Sequence, residues 1–132
     1  MCDCEMLALQ NTTIVIVEDH SEIRFPIAVF LKRLGAKVFT ASDASEGLWT
    51  IRANRPNVVL VDIQLPDQDG YELLRDIRAV EGEGSRVPVI AMTAYPLTFG
   101  RTSTLGAGFQ EQLIKPFSPG DLLRVIESVL RP

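Results

Sequence analysis

The sequence predicts an α/β fold, a doubly wound (βα)5 three-layer sandwich on a parallel five-stranded sheet, from three observations. Five short runs carry strand character: those at residues 13–17, 37–40, 58–61 and 88–92 are rich in apolar or β-branched residues and 109–114 has apolar ends; the clearest, 58–61, shows no alternation, as in a strand covered on both faces. Segments with apolar residues at helical spacing separate the runs, so each connection is a crossover that lays a helix on the sheet. The first and third runs both stop at acids, Glu18-Asp19 and Asp62. The strand order 2-1-3-4-5, flavodoxin-like, sets those two strands side by side at the topological switch point, so that the three carboxylates converge.

Composition narrows the function classes. With 132 residues and 46% hydrophobic residues, the chain fits one compact domain with a full core. Residues 13–131 are expected to form that domain, after an N-terminal tail over 1–12. The net charge of −4 comes without a Lys/Arg cluster, so no direct nucleic acid binding is expected. No segment approaches the roughly 20 apolar residues that span a bilayer, and the N-terminus lacks a leader pattern. No membrane association and a cytoplasmic location follow as expectations. Cys2 and Cys4 are too few and too close for a disulfide framework or a zinc site.

Each element has its own signal. After the first strand, Ser21 is a candidate cap for a helix over 22–34, with Ile23, Ile27, Phe30, Leu31 and Leu34 on one stripe, a local kink near Glu22 caused by Pro26, and a stop at Gly35. Residues 37–40 form the second strand. Asp43 with Glu46 resembles a capping box opening a helix with Ala44, Leu48 and Ile51 inward and Trp49 packed on its flank. Residues 58–61 end at Asp62, and Pro66, Asp67, Asp69 and Gly70 build the loop that follows. The third helix covers 71–80, and the Gly-rich, charged 81–86 is an exposed loop. The fourth strand ends at Thr93. Residues 97–108 carry Thr, Ser and three glycines, so a helix there has poor intrinsic propensity. The fifth strand ends at Lys115-Pro116. Ser118, Pro119 and Asp121 then open a last helix through residue 130, with Leu122, Val125, Ile126 and Val129 inward.

Three carboxylates within a few ångströms stay ionised together only if a cation intervenes. An all-oxygen site with open positions suits Mg2+, or Mn2+, which accepts carboxylates together with phosphate oxygens. Thr93 and Lys115 arrive from the next two strand ends and offer a hydroxyl and a charge to a phosphoryl group beside Asp62. The set reads as an acceptor site for phosphoryl transfer, acting by positioning and electrostatics.

At these residues the chain resembles the receiver domain of bacterial two-component response regulators. The resemblance rests on Val-Glu-Asp at 17–19, Asp-Ile-Gln-Leu-Pro-Asp-Gln-Asp-Gly at 62–70, Thr93-Ala94 and Lys-Pro-Phe at 115–117. It implies that Asp62 accepts a phosphoryl group from the phosphohistidine of a histidine kinase or histidine phosphotransfer protein. It further implies that Asp19 and Asp62 ligate the metal directly, Glu18 through a water and Gln64 through its carbonyl, while Thr93 and Lys115 contact the phosphoryl oxygens. A cis bond between Lys115 and Pro116 is implied as well. Such a domain catalyses its own phosphorylation and dephosphorylation, without an independent turnover substrate. As a stand-alone receiver it signals by changing which downstream protein it binds. The family usually has Tyr or Phe three residues before the Lys, where this chain has Gln112. The switch is therefore expected to rest on Thr93 and residues 97–108, with Gln112 offering at most a hydrogen bond.

Two enzyme-like alternatives fit less well. A phosphatase using an aspartyl phosphate would place its general acid two residues after the acceptor, and that position is Gln64. A flavin binder would need amides and no acids in the first loop, which reads Glu18-Asp19-His20-Ser21. An interaction module with a relic site is the remaining alternative.

Overall fold

The computed structural model describes residues 8–81, 86–94 and 108–130. Its elements are β1 (Thr13–Val17), α1 (Ser21–Arg33), β2 (Lys37–Ala41), α2 (Ala44–Asn54), β3 (Val58–Asp62), α3 (Gly70–Val80), β4 (Val89–Thr93), β5 (Glu111–Ile114) and α4 (Pro119–Leu130). All four strand pairings are parallel and the order is β2-β1-β3-β4-β5, as the sequence predicts. Residues 97–107 of the helix expected over 97–108, and residues 82–85 of the 81–86 loop, lie outside the described residues.

The unbroken apolar runs explain why the sheet sits in the middle. Side chains alternate between faces along a strand, so each run feeds two cores at once. Ile14, Ile16, Leu60, Ile90 and Met92 pack with Ile27 and Leu31 of α1 and with Leu122 and Ile126 of α4. Val15, Val17, Val59, Val61 and Ala91 pack with Ala44 and Ile51 of α2 and with Leu73, Leu74 and Ile77 of α3. Burying each Val, Leu or Ile fully is worth about 1.5–3 kcal/mol against exposure, so these two layers dominate the stability. Leu9, from the segment read as a tail, joins the first layer at 1% exposure, and its N–H donates to the Leu34 carbonyl at 2.8 Å.

Helix ends follow capping chemistry, with three departures from expectation. Ser21 is the first helical residue, and His20 is the N-cap without a side-chain cap bond. The reason is local: the His20 N–H donates to Glu18 Oε2 at 3.2 Å, which holds His20 extended as the N-cap, so the helix starts at Ser21, one residue earlier than expected. At α2, Asp43 accepts from the Glu46 N–H at 2.8 Å, but the Glu46 carboxylate turns to the Ser42 N–H, also at 2.8 Å, leaving half a box. Trp49, expected to pack, is 71% exposed; Gly47 and Thr50 take the buried positions of that helix. At α3 a complete box forms between Asp69 and Glu72. Ser118 and Asp121 exchange bonds at the start of α4 as expected. Gly35 ends α1 with φ 97°, a backbone angle that glycine adopts without strain.

Gly70 marks where helix and strand touch. A Cβ there would lie 2.9 Å from both the Asp62 carbonyl oxygen and the Ile63 Cα, atoms of the backbone that leads out of β3. Its N–H donates to the Ile63 carbonyl at 2.7 Å, so the approach is fastened as well as close. Gly70→Ala is expected to cost about 1–3 kcal/mol through overpacking, read as a lower urea midpoint at unchanged m-value.

Candidate functional site

Register delivers the acids. Val17 pairs with Val61 across β1 and β3, so Glu18 and Asp62 are the next residues on neighbouring strands. Ligand atoms of Glu18, Asp19, His20 and Asp62 all lie within 4.8 Å of one another. Glu18 is fully buried, Asp62 is 4% exposed and Thr93 8%. Arg24 of α1 donates to the Glu18 carbonyl at 2.7 Å and so fixes the turn that carries both acids.

The cation that the cluster requires is present in part as a side chain. Lys115 Nζ lies 2.7 Å from Glu18 Oε1 and 3.3 Å from Asp62 Oδ2, bridging the two strand ends. Its backbone N–H donates to the Thr93 carbonyl at 2.7 Å, and the Lys115-Pro116 bond is cis. Burial alone would lower the Lys115 pKa, but the Glu18 hydrogen bond and the Asp62 charge outweigh it, and the net shift is upward. Asp62 is also shifted upward, first by burial and then by its contact with Glu18; the Gln64 N–H, donating to Asp62 Oδ1 at 3.1 Å, and Lys115 oppose this. The opposing signs describe a buried carboxylate only partly compensated.

His20 is a member of the cluster that the sequence reading passed over. Its Nδ1 lies 3.2 Å from Glu18 Oε2 and 3.2 Å from Asp19 Oδ1, and its pKa is raised by the Glu18 hydrogen bond and then by the Asp19 charge. The signal available was simple adjacency, His20 following two acids. Asp19 Oδ1 is buried and has no hydrogen bond of good geometry. A carboxylate oxygen left over in a pocket of carboxylates is what a hard, oxygen-seeking cation fits. Gln64 is exposed beside Asp62, and Gln112 sits half-buried on β5 opposite Ala91.

Asp67, read as a loop residue, turns out to be a tie. Its carboxylate accepts from the Ala44 N–H at 2.8 Å and the Ser45 N–H at 3.0 Å, so the loop after Asp62 caps the first turn of α2. Partial desolvation works against ionisation, yet these N–H donors hold its pKa below the usual value. A depressed carboxylate stabilises the fold above its unfolded pKa, and that stabilisation is lost as pH falls through the folded value. Asp67→Ala is therefore expected to cost about 1 kcal/mol at pH 7, with the gap to the parent protein closing below about pH 4 in urea titrations.

The fold and the edge it charges define a switch-point α/β protein whose acidic pocket is closed by a lysine. The sequence matches the response regulator receiver domain over residues 14–127, and the chain belongs to that family. It is 33% identical over 123 residues to the probable transcriptional regulator ycf27 of Porphyridium aerugineum, covering 93% of this chain and 50% of that one. The chain thus spans about half the length of that relative. The receiver domain of the sensor histidine kinase PA1611 of Pseudomonas aeruginosa PAO1, solved with a magnesium ion in its active-site cleft, superposes with a TM-score of 0.81. The two are 34% identical, over 90% of this chain and 97% of that one. Chemotaxis protein CheY4 of Vibrio cholerae gives a TM-score of 0.83 at 26% identity, over 90% and 98%.

Proposed function

We propose that Asp62 is the phosphoacceptor of this receiver domain and that it takes its phosphoryl group from a phosphohistidine on a histidine kinase or histidine phosphotransfer protein. The observation that carries this reading is the Asp62 carboxylate itself. Oδ1 is held by the Gln64 N–H and Oδ2 faces the Lys115 ammonium, inside a cluster of ligating atoms 4.8 Å across. One carboxylate oxygen attacks phosphorus as the bond to the imidazole nitrogen breaks. Lys115 then neutralises charge on the phosphoryl oxygens, and Thr93, at the end of the adjacent strand, donates its hydroxyl to them.

Asp19, Asp62, the Gln64 carbonyl and, through water, Glu18 would hold Mg2+ or Mn2+. That ion would supply charge neutralisation at the transferring group. His20 keeps Glu18 and Asp19 oriented toward the same point. The phosphorylated domain then binds a downstream protein differently. Thr93 and residues 97–108 carry the change, with Gln112 in place of the family's aromatic residue.

The test is intact-mass measurement after exposure to acetyl phosphate. One labile phosphoryl adduct is expected with Mg2+ and none with EDTA, and Asp19→Ala should remove most of the adduct at any Mg2+ concentration. An adduct of equal yield in EDTA would overturn the metal's role.

A further inference from the structure

A second charged concavity lies at the opposite edge of the sheet, where β3 and β4 begin. Strands of five residues separate it from the acidic cluster by about 15 Å. It is an open cleft of about 640 Å³ between the ends of α2 and α3, with Val80 and Val87 as an apolar floor over the buried Ile51 and Ile77, and Arg52, Arg55 and Arg86 around it. That volume falls within the range of small-molecule pockets.

The charges around this cleft are unequally matched. Glu81, the acid lining it, is consumed: its carboxylate accepts from Arg78 Nη1 at 2.9 Å and from the Val87 N–H at 2.8 Å. Arg78 is consumed with it, donating also to the Val87 carbonyl at 2.9 Å. Among the described residues, no ion pair or side-chain hydrogen bond engages Arg52, Arg55 or Arg86. Two helix C-termini point here, each equivalent to about −0.5 charge. Among the described residues, together they offset one of the three guanidinium charges and leave two. On a chain of net charge −4 this is a local excess of positive charge.

Arg55 adds a conformational observation. It caps α2 with φ 46° and ψ 66°, a left-handed backbone that costs a non-glycine residue stability. Glycine would occupy the position without strain, whereas arginine places a guanidinium at the cleft.

We propose that this cleft binds a small phosphorylated ligand with a flat apolar body, of which a nucleotide is the type. Guanidinium forks match phosphate oxygens in pairs and also stack on planar rings. The apolar floor takes the ring while two of the arginines take the phosphates. The inference is independent of the Asp62 reading, since the two sites share no residue.

The experiment is calorimetric and NMR titration of the full chain with ADP, adenosine and inorganic pyrophosphate in EDTA, so that the acidic cluster cannot recruit a metal–nucleotide complex. ADP is expected to bind with shifts at Ile51, Ile77 and Val87, to weaken as salt rises, and to lose at least about tenfold in affinity in Arg52→Gln and in Arg86→Gln. Adenosine should bind far more weakly. Absence of ADP binding at millimolar concentration overturns the proposal. So does ADP affinity unchanged when Arg52→Gln and Arg86→Gln are combined, or an acidic peptide that binds the cleft while ADP does not.

Discussion

Asp62→Asn is expected to abolish phosphoryl uptake completely while leaving the fold within about 1 kcal/mol of the parent. The amide keeps the size of the carboxylate, but its oxygen is a poor nucleophile and it brings no charge to a metal. Of the two favourable contacts to the ionised carboxylate, from the Gln64 N–H and from Lys115, the single amide oxygen keeps one. Against that loss stands the removal of a buried charge. The Asp62 pKa is raised, first by burial, so its favourable contribution is present below the unfolded value and is lost as pH rises through the folded value. At neutral pH the ionised side chain therefore works against folding, and Asn is relieved of it. Mass spectrometry should find no adduct in the variant, and urea unfolding should give nearly the parent midpoint. An adduct at any other residue would show that the acceptor has been misassigned.

The second large effect is expected at Lys115. Lys115→Met keeps the aliphatic bulk and removes the ammonium that bridges Glu18 and Asp62, leaving two buried carboxylates without their shared cation. Breaking a buried pair from one side costs about 3–5 kcal/mol. The lower end applies, because Asp19 keeps the pocket partly open to water, its side chain being 29% exposed. Against a total stability of about 5–15 kcal/mol this is a large share. Low pH should rescue the variant, since protonated carboxylates need no partner, and millimolar Mg2+ should rescue it if the pocket accepts the ion. The raised Lys115 pKa sets the alkaline behaviour of the parent. Its contribution is complete below about pH 10.5 and is lost as pH rises through the folded value, so the parent should weaken there and the variant should not. A variant as stable as the parent at pH 7 without metal would contradict this account of the pocket.

Much of this architecture was legible because it is encoded in coarse features. Strand ends follow from where apolar runs stop, and the convergence of Glu18 and Asp62 follows from strand order, which crossover handedness restricts to few choices. Side-chain direction in loops is not encoded that way. His20, Arg24 and Asp67 act through bonds whose partners lie up to 23 residues away, and no periodicity announces them. Ser21 illustrates the same limit at a helix end. Its residue type favours capping, yet a bond from the His20 N–H to Glu18 moved the boundary. The size of Trp49 suggests burial, but the buried face of α2 is taken by small or β-branched residues, Ala44, Gly47, Thr50 and Ile51, and at Gly47 even a Cβ would meet Val17 at 2.8 Å.

The two apolar layers have a consequence for how such a domain diversifies. Residues on opposite faces of one strand share a backbone but few neighbours, and substitutions at sites more than about 7–10 Å apart without shared partners combine additively. The flank built by α1 and α4 and the flank built by α2 and α3 can therefore drift as separate modules. A lineage can remodel the surface that meets one protein while the surface that meets another is inherited unchanged, with the central sheet as an insulating partition between the two histories.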